Sequence, residues 1–229
     1  MVTKKNGRKW LGLNEITHII LRDYYKVRRY PNKTFDYAID ISSNIGVFSL
    51  MAAVIWPSTK VVAYEPDTEF FGYTQDNLRG FYNVVCNNAA LSDGGPQYYT
   101  DVQGFLTTKP NTRPVPGVKL SGILSDNNIT QAHSYMLKID CEGGERFIVG
   151  DRDDEDALRG ARYIGIEMHF QCPNNRCYDD FPKYEQYDEW IHDTLGRTHT
   201  IEYGKSRRNK GIGTYWASKT TISAAQAAQ

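Results

Sequence analysis

No stretch of this chain approaches the roughly 18 consecutive apolar residues of a membrane-spanning helix, and its opening residues, MVTKKNGRKW, hold no apolar core of a secretory signal. The expectation is a soluble, cytoplasmic protein with no membrane contact. A charge surplus is missing as well: Lys and Arg total 27 and Asp and Glu total 27, so no global field favours a polyanionic partner. Four cysteines in 229 residues are too few and too scattered for a disulfide framework. Cys86 and Cys141 lie inside apolar strand-like runs and read as buried thiols. Cys172 and Cys177, in CPNNRC, have His169 as the one further ligand nearby, short of the about four ligands of a structural zinc site. There is no internal repeat, and nothing signals an oligomeric state.

The length suits one substantial core. Residues 14–29, NEITHIILRDYYKVRR, put Ile16, Ile19, Ile20, Tyr24 and Val27 on one helical face, so residues 1–34 are read as a covering helix with a basic arm. From residue 35 strand-like and helix-like segments alternate, the pattern of a mostly parallel sheet with helices on both faces. Strands are expected near 35–41, 60–65, 83–90, 134–140, 162–169, 198–203 and 212–218, seven in all. Helices are expected after residue 46, ending before Pro57, over 67–79 with Asp67 as N-cap, and over 182–195. Residues 101–117 read as a loop, and DRDDED, 151–156, as a solvated charge run. The last two strands are separated only by KSRRNK and should pair antiparallel at the sheet edge. The fold class is therefore a Rossmann-like α/β domain over 35–219, with 220–229 a flexible tail.

FDYAIDISSNIGVFSL, 35–50, reads as a buried strand ending in Asp40, a short polar turn and a helix. That is where open α/β sheets bind nucleotides, since the turn backbone and the helix N-terminus face the crevice. The G-x-G-x-x-G of a dinucleotide site is absent; only Gly46 fits, and Asp40 would repel a diphosphate. S-adenosylmethionine carries no phosphate but has an ammonium and a sulfonium, so an acid at the strand end would attract it. Nineteen residues past Gly46, AYEPD places Glu65 where one carboxylate can accept both ribose hydroxyls.

FDYAIDISSNIGVFSL, VVAYEPD, NNAALSD, MLKIDCEGGERFIV and IGIEMHF follow one another in the order and spacing of FkbM-type methyltransferases, which this chain resembles over roughly residues 35–170. The resemblance implies a class I, S-adenosylmethionine-dependent fold of seven strands, the last inserted antiparallel. It also implies that Asp40, Ser42, Asn44 and Gly46 line the methionyl part of the cofactor and Glu65 the ribose. Pro66 and Asp67 would meet the adenosine edge, and Ala90, Leu91 and Ser92 the adenine. Ser42 stands where the family usually carries glycine, and a positive φ there would strain it.

The cofactor supplies the electrophile, so the protein's task is to align an acceptor and control its proton. LKIDCEGGE delivers Asp140, Glu142 and Glu145, and IEMHF delivers Glu167 and His169, to the carboxyl edge of the sheet. Asp140 is the first candidate to touch the cofactor or position the acceptor. Glu142 and His169 are the candidate bases. Glu145 reads as a helix-start carboxylate. A divalent ion held by Asp140, Glu142 and His169 is chemically possible, but three mixed ligands are a weak sequence signal, and no metal is expected.

The basic loop Lys205, Arg207, Arg208 and Lys210, with Tyr203 and Tyr215, could grip an acceptor or simply protect an edge strand. The leading expectation is an O-methyltransferase acting on a hydroxyl of a sugar, glycan or small metabolite. RNA ribose 2′-O-methylation comes second: Asp140 and Glu202 could supply its acids, but Glu167 and His169 stand where it wants lysine. A scaffold that has lost turnover comes third, motivated by Ser42.

Overall fold

The computed structural model describes residues 15–99, 106–107, 113–169, 184–205 and 212–220. Seven strands form one sheet: β1 Tyr37–Ile41, β2 Lys60–Tyr64, β3 Val84–Asn87, β4 Tyr135–Ile139, β5 Tyr163–His169, β6 His199–Lys205 and β7 Ile212–Lys219. Their order is β6-β7-β5-β4-β1-β2-β3, parallel except that β7 runs antiparallel to both neighbours. β1 and β4 read YAIDI and YMLKI, nearly continuous apolar runs, because both faces of the central sheet are covered.

The helices are α1 Val47–Ile55, α2 Thr68–Leu78, α3 Leu120–Asp126, α4 Arg152–Gly160 and α5 Tyr184–Leu195. One face of the sheet buries Ile39, Ile41, Leu137, Ile139, Ile164 and Ile166 with side chains of α3, α4 and α5. The other buries Ala38, Val61, Met136 and Tyr163 against α1 and the N-terminal segment, through Phe48, Tyr25, Val27 and Phe35. Side chains alternate along a strand, so Asp40, Lys138, Glu167 and His169 fall on this second face. That alternation gathers the polar groups described below.

The seven expected strands are all present, and Asp67 caps α2 by accepting from Glu69 N at 2.8 Å and Phe70 N at 3.1 Å. Three readings need correction. Residues 14–29 do not form one helix. A π-helical turn, Ile16–Leu21, and a 3-10 turn, Val27–Arg29, are separated by Asp23 at φ 48° and Lys26 at φ 52°. Asp23 turns back to accept from Val27 N at 2.9 Å, and tertiary bonds from Tyr24 and Tyr25 override the helical period.

Second, the DRDDED run is not merely solvated. Asp151 caps α4, and Asp154 is fully buried, its carboxylate accepting from Leu120 N and Ser121 N at the start of α3. Third, Cys86 and Cys141 are free thiols but only partly buried. Cys172 and Cys177, Arg207, Arg208 and Lys210, residues 1–14, most of the 101–117 loop and the tail from 221 lie outside the described residues. Among the described residues no helix is long and apolar enough to cross a membrane.

Candidate active site

The turn after β1 holds three residues at positive φ: Ser42 at 64°, Asn44 at 54° and Gly46 at 80°. Gly46 is required twice over, because a Cβ there would also lie 3.2 Å from Leu78 and 3.3 Å from Thr74. Ser42 and Asn44 carry strain, which persists because the surroundings bind the turn's backbone groups one by one. Lys138 Nζ donates to Ser42 O at 2.6 Å, Thr74 Oγ1 to Asn44 O at 2.6 Å, and Asn77 Nδ2 to Ile45 O at 2.9 Å. Asn44 N donates to Glu65 Oε2 at 2.7 Å.

Asp40 is not an open anchor. It is fully buried, with Lys138 Nζ 3.0 Å from Oδ1 and Ser49 Oγ donating to Oδ2 at 2.7 Å. Strand register explains the pair, since Asp40 and Lys138 are Cα partners across β1 and β4. Burial alone would discharge Lys138; Asp40 and Asp140 overcome this and hold its pKa above the usual value. The expectation that Asp40's charge faces a cofactor cation is thereby corrected: its charge is spent on Lys138.

Glu65, also buried, accepts from Asn44 N and, at 2.9 Å, from Asp67 N, leaving one lone pair on each oxygen. Burial pushes its carboxyl up to about 7, against the pull of those two amides. Asn88 Nδ2 donates to Glu65 O at 2.7 Å and Pro66 O at 3.0 Å, tying the end of β3 to the end of β2.

At Pro66, one residue past Glu65, a small open cleft is lined by Ser42, Pro66, Ala90, Leu91, Cys141 and Glu142 among others. Gln97 also lines it, although 99 % buried by its 1 % exposure, and its Oε1 has no hydrogen-bond partner among the described residues. Sequence reasoning missed Gln97. Ser92, by contrast, is turned away into its own loop, donating to Gly95 O at 3.1 Å and accepting from Gly94 N at 3.0 Å.

At the other end of the cleft, β4 and β5 bring four acids around His169. Glu145 is fully buried and accepts from Cys141 N at 2.8 Å and Gly143 N at 2.9 Å, so it shapes the loop rather than meeting a helix dipole in solvent. Its Oε1 lies 3.2 Å from His169 Nδ1. Burial works against the imidazolium, but Glu145, Glu142 and Asp140 outweigh it and raise the pKa of His169; burial also opposes ionisation of Glu145, and His169 overrides it and lowers its pKa.

Glu142, at φ 50°, stands at the mouth with its side chain 47 % exposed. Burial, reinforced by Asp140, pushes Glu167 up to about 7. Tyr24 donates to Glu167 Oε2 at 2.7 Å and Tyr25 to Asp140 Oδ2 at 2.9 Å, so the N-terminal segment roofs this cluster. Glu15 belongs to the same neighbourhood; burial, with Asp140, raises it to about 7. The sequence placed Tyr24 on a covering helix face rather than at the site, and did not single out Tyr25 or Lys138. Gly165 was the overlooked signal, because a Cβ there would stand 2.9 Å from the Tyr25 ring.

A seven-stranded sheet in this order with an antiparallel seventh strand, a strained turn after β1 and an acid closing β2 define a Rossmann-like methyltransferase. The methyltransferase FkbM domain matches residues 40–197, and the chain belongs to that family, whose cofactor is S-adenosylmethionine. No curated protein matches it significantly in sequence. Among solved structures it is similar to an rRNA methylase from Streptococcus thermophilus, at 10% identity and TM-score 0.51, covering 89% of this chain and 96% of that one. It is also similar to a chain of a fibrillarin/Nop5p complex, at 11% identity and TM-score 0.53, covering 95% and 88%. At these identities the likeness is one of fold.

The residues present fit the cofactor. Pro66, Ala90 and Leu91 give the cleft apolar surface, Gln97 brings an unfilled acceptor to it, and Glu65, adjacent to Pro66, keeps spare lone pairs: the kinds of group a purine, an amine and ribose hydroxyls require.

Proposed function

We propose that this enzyme methylates a hydroxyl oxygen of a sugar, glycan or small metabolite, in the cytoplasm. S-adenosylmethionine supplies the methyl group as a sulfonium electrophile. Ser42, Asn44 and Gly46 shape the wall beside its methionyl part, and Glu65 accepts its ribose hydroxyls. Pro66, Ala90 and Leu91 flank the adenine, and Gln97 accepts from its amine. Asp67 and Ser92 act one layer behind, through the α2 cap and the loop after residue 91. Asp40 acts indirectly, by holding Lys138 on the turn carbonyls.

The observation that carries this reading is the carboxylate and imidazole cluster at the end of the cleft. A hydroxyl acceptor must lose a proton as its oxygen is methylated; Asp140 and Glu142 provide carboxylates to orient it and take that proton, and His169, its imidazolium favoured by the acids around it, holds them in place. The rival RNA reading is weakened by Glu202, which receives Lys26 and, at 2.8 Å, Arg29, and so straps down the N-terminal segment.

A labelled-methyl transfer screen against glycans, phenolic metabolites and capped RNA tests the proposal. Label on a glycan or metabolite oxygen supports it. Label appearing only in RNA, or only on nitrogen or carbon, overturns it.

A further inference from the structure

We propose that Asp140, Glu142 and His169 form a binding site for one divalent metal ion at the end of the cofactor cleft. One ligand atom from each lies within 4.8 Å of the others. The independent observation is His169 itself. It is 2 % exposed, yet Nε2 makes no hydrogen bond among the described residues. That nitrogen points into the acids: Glu142 Oε2 lies at 3.4 Å, Glu167 Oε1 at 3.8 Å and Asp140 Oδ1 at 4.0 Å. Leaving a buried ring nitrogen without a partner is costly.

The spacing suits an ion between the groups. Ligands at about 2.1 Å from a common metal stand about 3.0 to 3.4 Å apart in octahedral or tetrahedral arrangement. The three atoms, within 4.8 Å of one another, would draw together to this spacing on binding the ion. The outer layer is already built: Glu145 Oε1 sits 3.2 Å from His169 Nδ1, and Glu145 is held by the amides of Cys141 and Gly143. A carboxylate on one ring nitrogen fixes the tautomer that leaves the other free to bind a metal.

Two carboxylates and one imidazole suit Mn²⁺, Fe²⁺, Co²⁺, Zn²⁺ or Mg²⁺ and offer too few oxygens for Ca²⁺. Three protein ligands leave coordination positions for water or an acceptor oxygen. This role rests on the hydroxyl-methylation reading: the ion would bind the acceptor oxygen and ease loss of its proton. Binding of the ion does not depend on that reading.

The test uses full-length protein stripped with chelator and titrated with Mn²⁺, bound ion being counted by electron paramagnetic resonance. One bound ion per chain is expected, with affinity at least about tenfold weaker in Glu142→Gln and in His169→Gln. Thermal melts confirm that the variants are folded, and the exposed position of Glu142 keeps that variant informative if His169→Gln misfolds. No bound Mn²⁺, or affinity unchanged in Glu142→Gln, overturns the site. The methyl-transfer screen is read separately, so failure to methylate a hydroxyl with Mn²⁺ binding intact would sink the reaction and leave the metal site standing.

Discussion

Tyr25 donates its hydroxyl to Asp140 at 2.9 Å from a ring that is 1 % exposed and seated against Gly165. One bond thus joins the N-terminal segment to the strand end that carries the site. Tyr25→Phe keeps the ring, with its edge contact to Phe48, and deletes only the donor. The expected cost is about 1 kcal/mol in urea unfolding, with turnover reduced and cofactor affinity little changed. Unaltered turnover would separate Tyr25 from the site.

The Asp40–Lys138 pair is nearly inaccessible, with side chains 0% and 4% exposed. Asp40→Asn leaves the ammonium without its main counter-charge and should cost about 3 kcal/mol or more. Combining it with Lys138→Met removes the stranded charge and should recover much of that loss in the folded state. Chemical denaturation of the three proteins checks this, and a loss under about 1 kcal/mol in the single variant would contradict it.

Glu65 titrates near 7 because it is buried. Hydroxyl donors prefer its ionised form, so cofactor affinity should fall as pH drops through about 7, by up to about tenfold per unit. Stability should move the other way. Between the free glutamate value and about 7 the folded chain holds a proton that the unfolded chain has released, so this group's contribution to stability is lost as pH rises through that window. Glu65→Gln should flatten both profiles, measured by calorimetry and by urea midpoints.

Ser42 sits at φ 64° and gives Lys138 its carbonyl, not its side chain. Ser42→Gly therefore keeps that bond and relieves the strain. A gain of about 0.5 to 1 kcal/mol in thermal or urea unfolding is expected, the larger entropy of unfolded glycine limiting it. Loss of stability would show that the hydroxyl has a role of its own.

The seven strands, the antiparallel hairpin at the edge and the place of the cleft were readable because they depend on patterns local to the chain: apolar runs of strand length, a polar turn closing on Gly46, an acid ending β2, and two strands separated by a short basic loop. The N-terminal segment was misread because its helical period is real, yet two tyrosine hydroxyls and the Asp23 carboxylate outweigh it. Asp154 was misread for a similar reason. A charge run shows how many acids there are, but not which one turns inward to cap a neighbouring helix.

Residue order was enough to state the family, the α/β class and the acids that reach the cleft edge, since propensity, period and motif spacing act over short distances. It could not show that Asp40 pairs with Lys138, that Gln97 leaves an acceptor unfilled, or that His169 aims a nitrogen without a hydrogen bond at three carboxylates. Those facts depend on strand register and on side chains that meet from distant parts of the chain, where charge and hydrogen bonding are settled by packing.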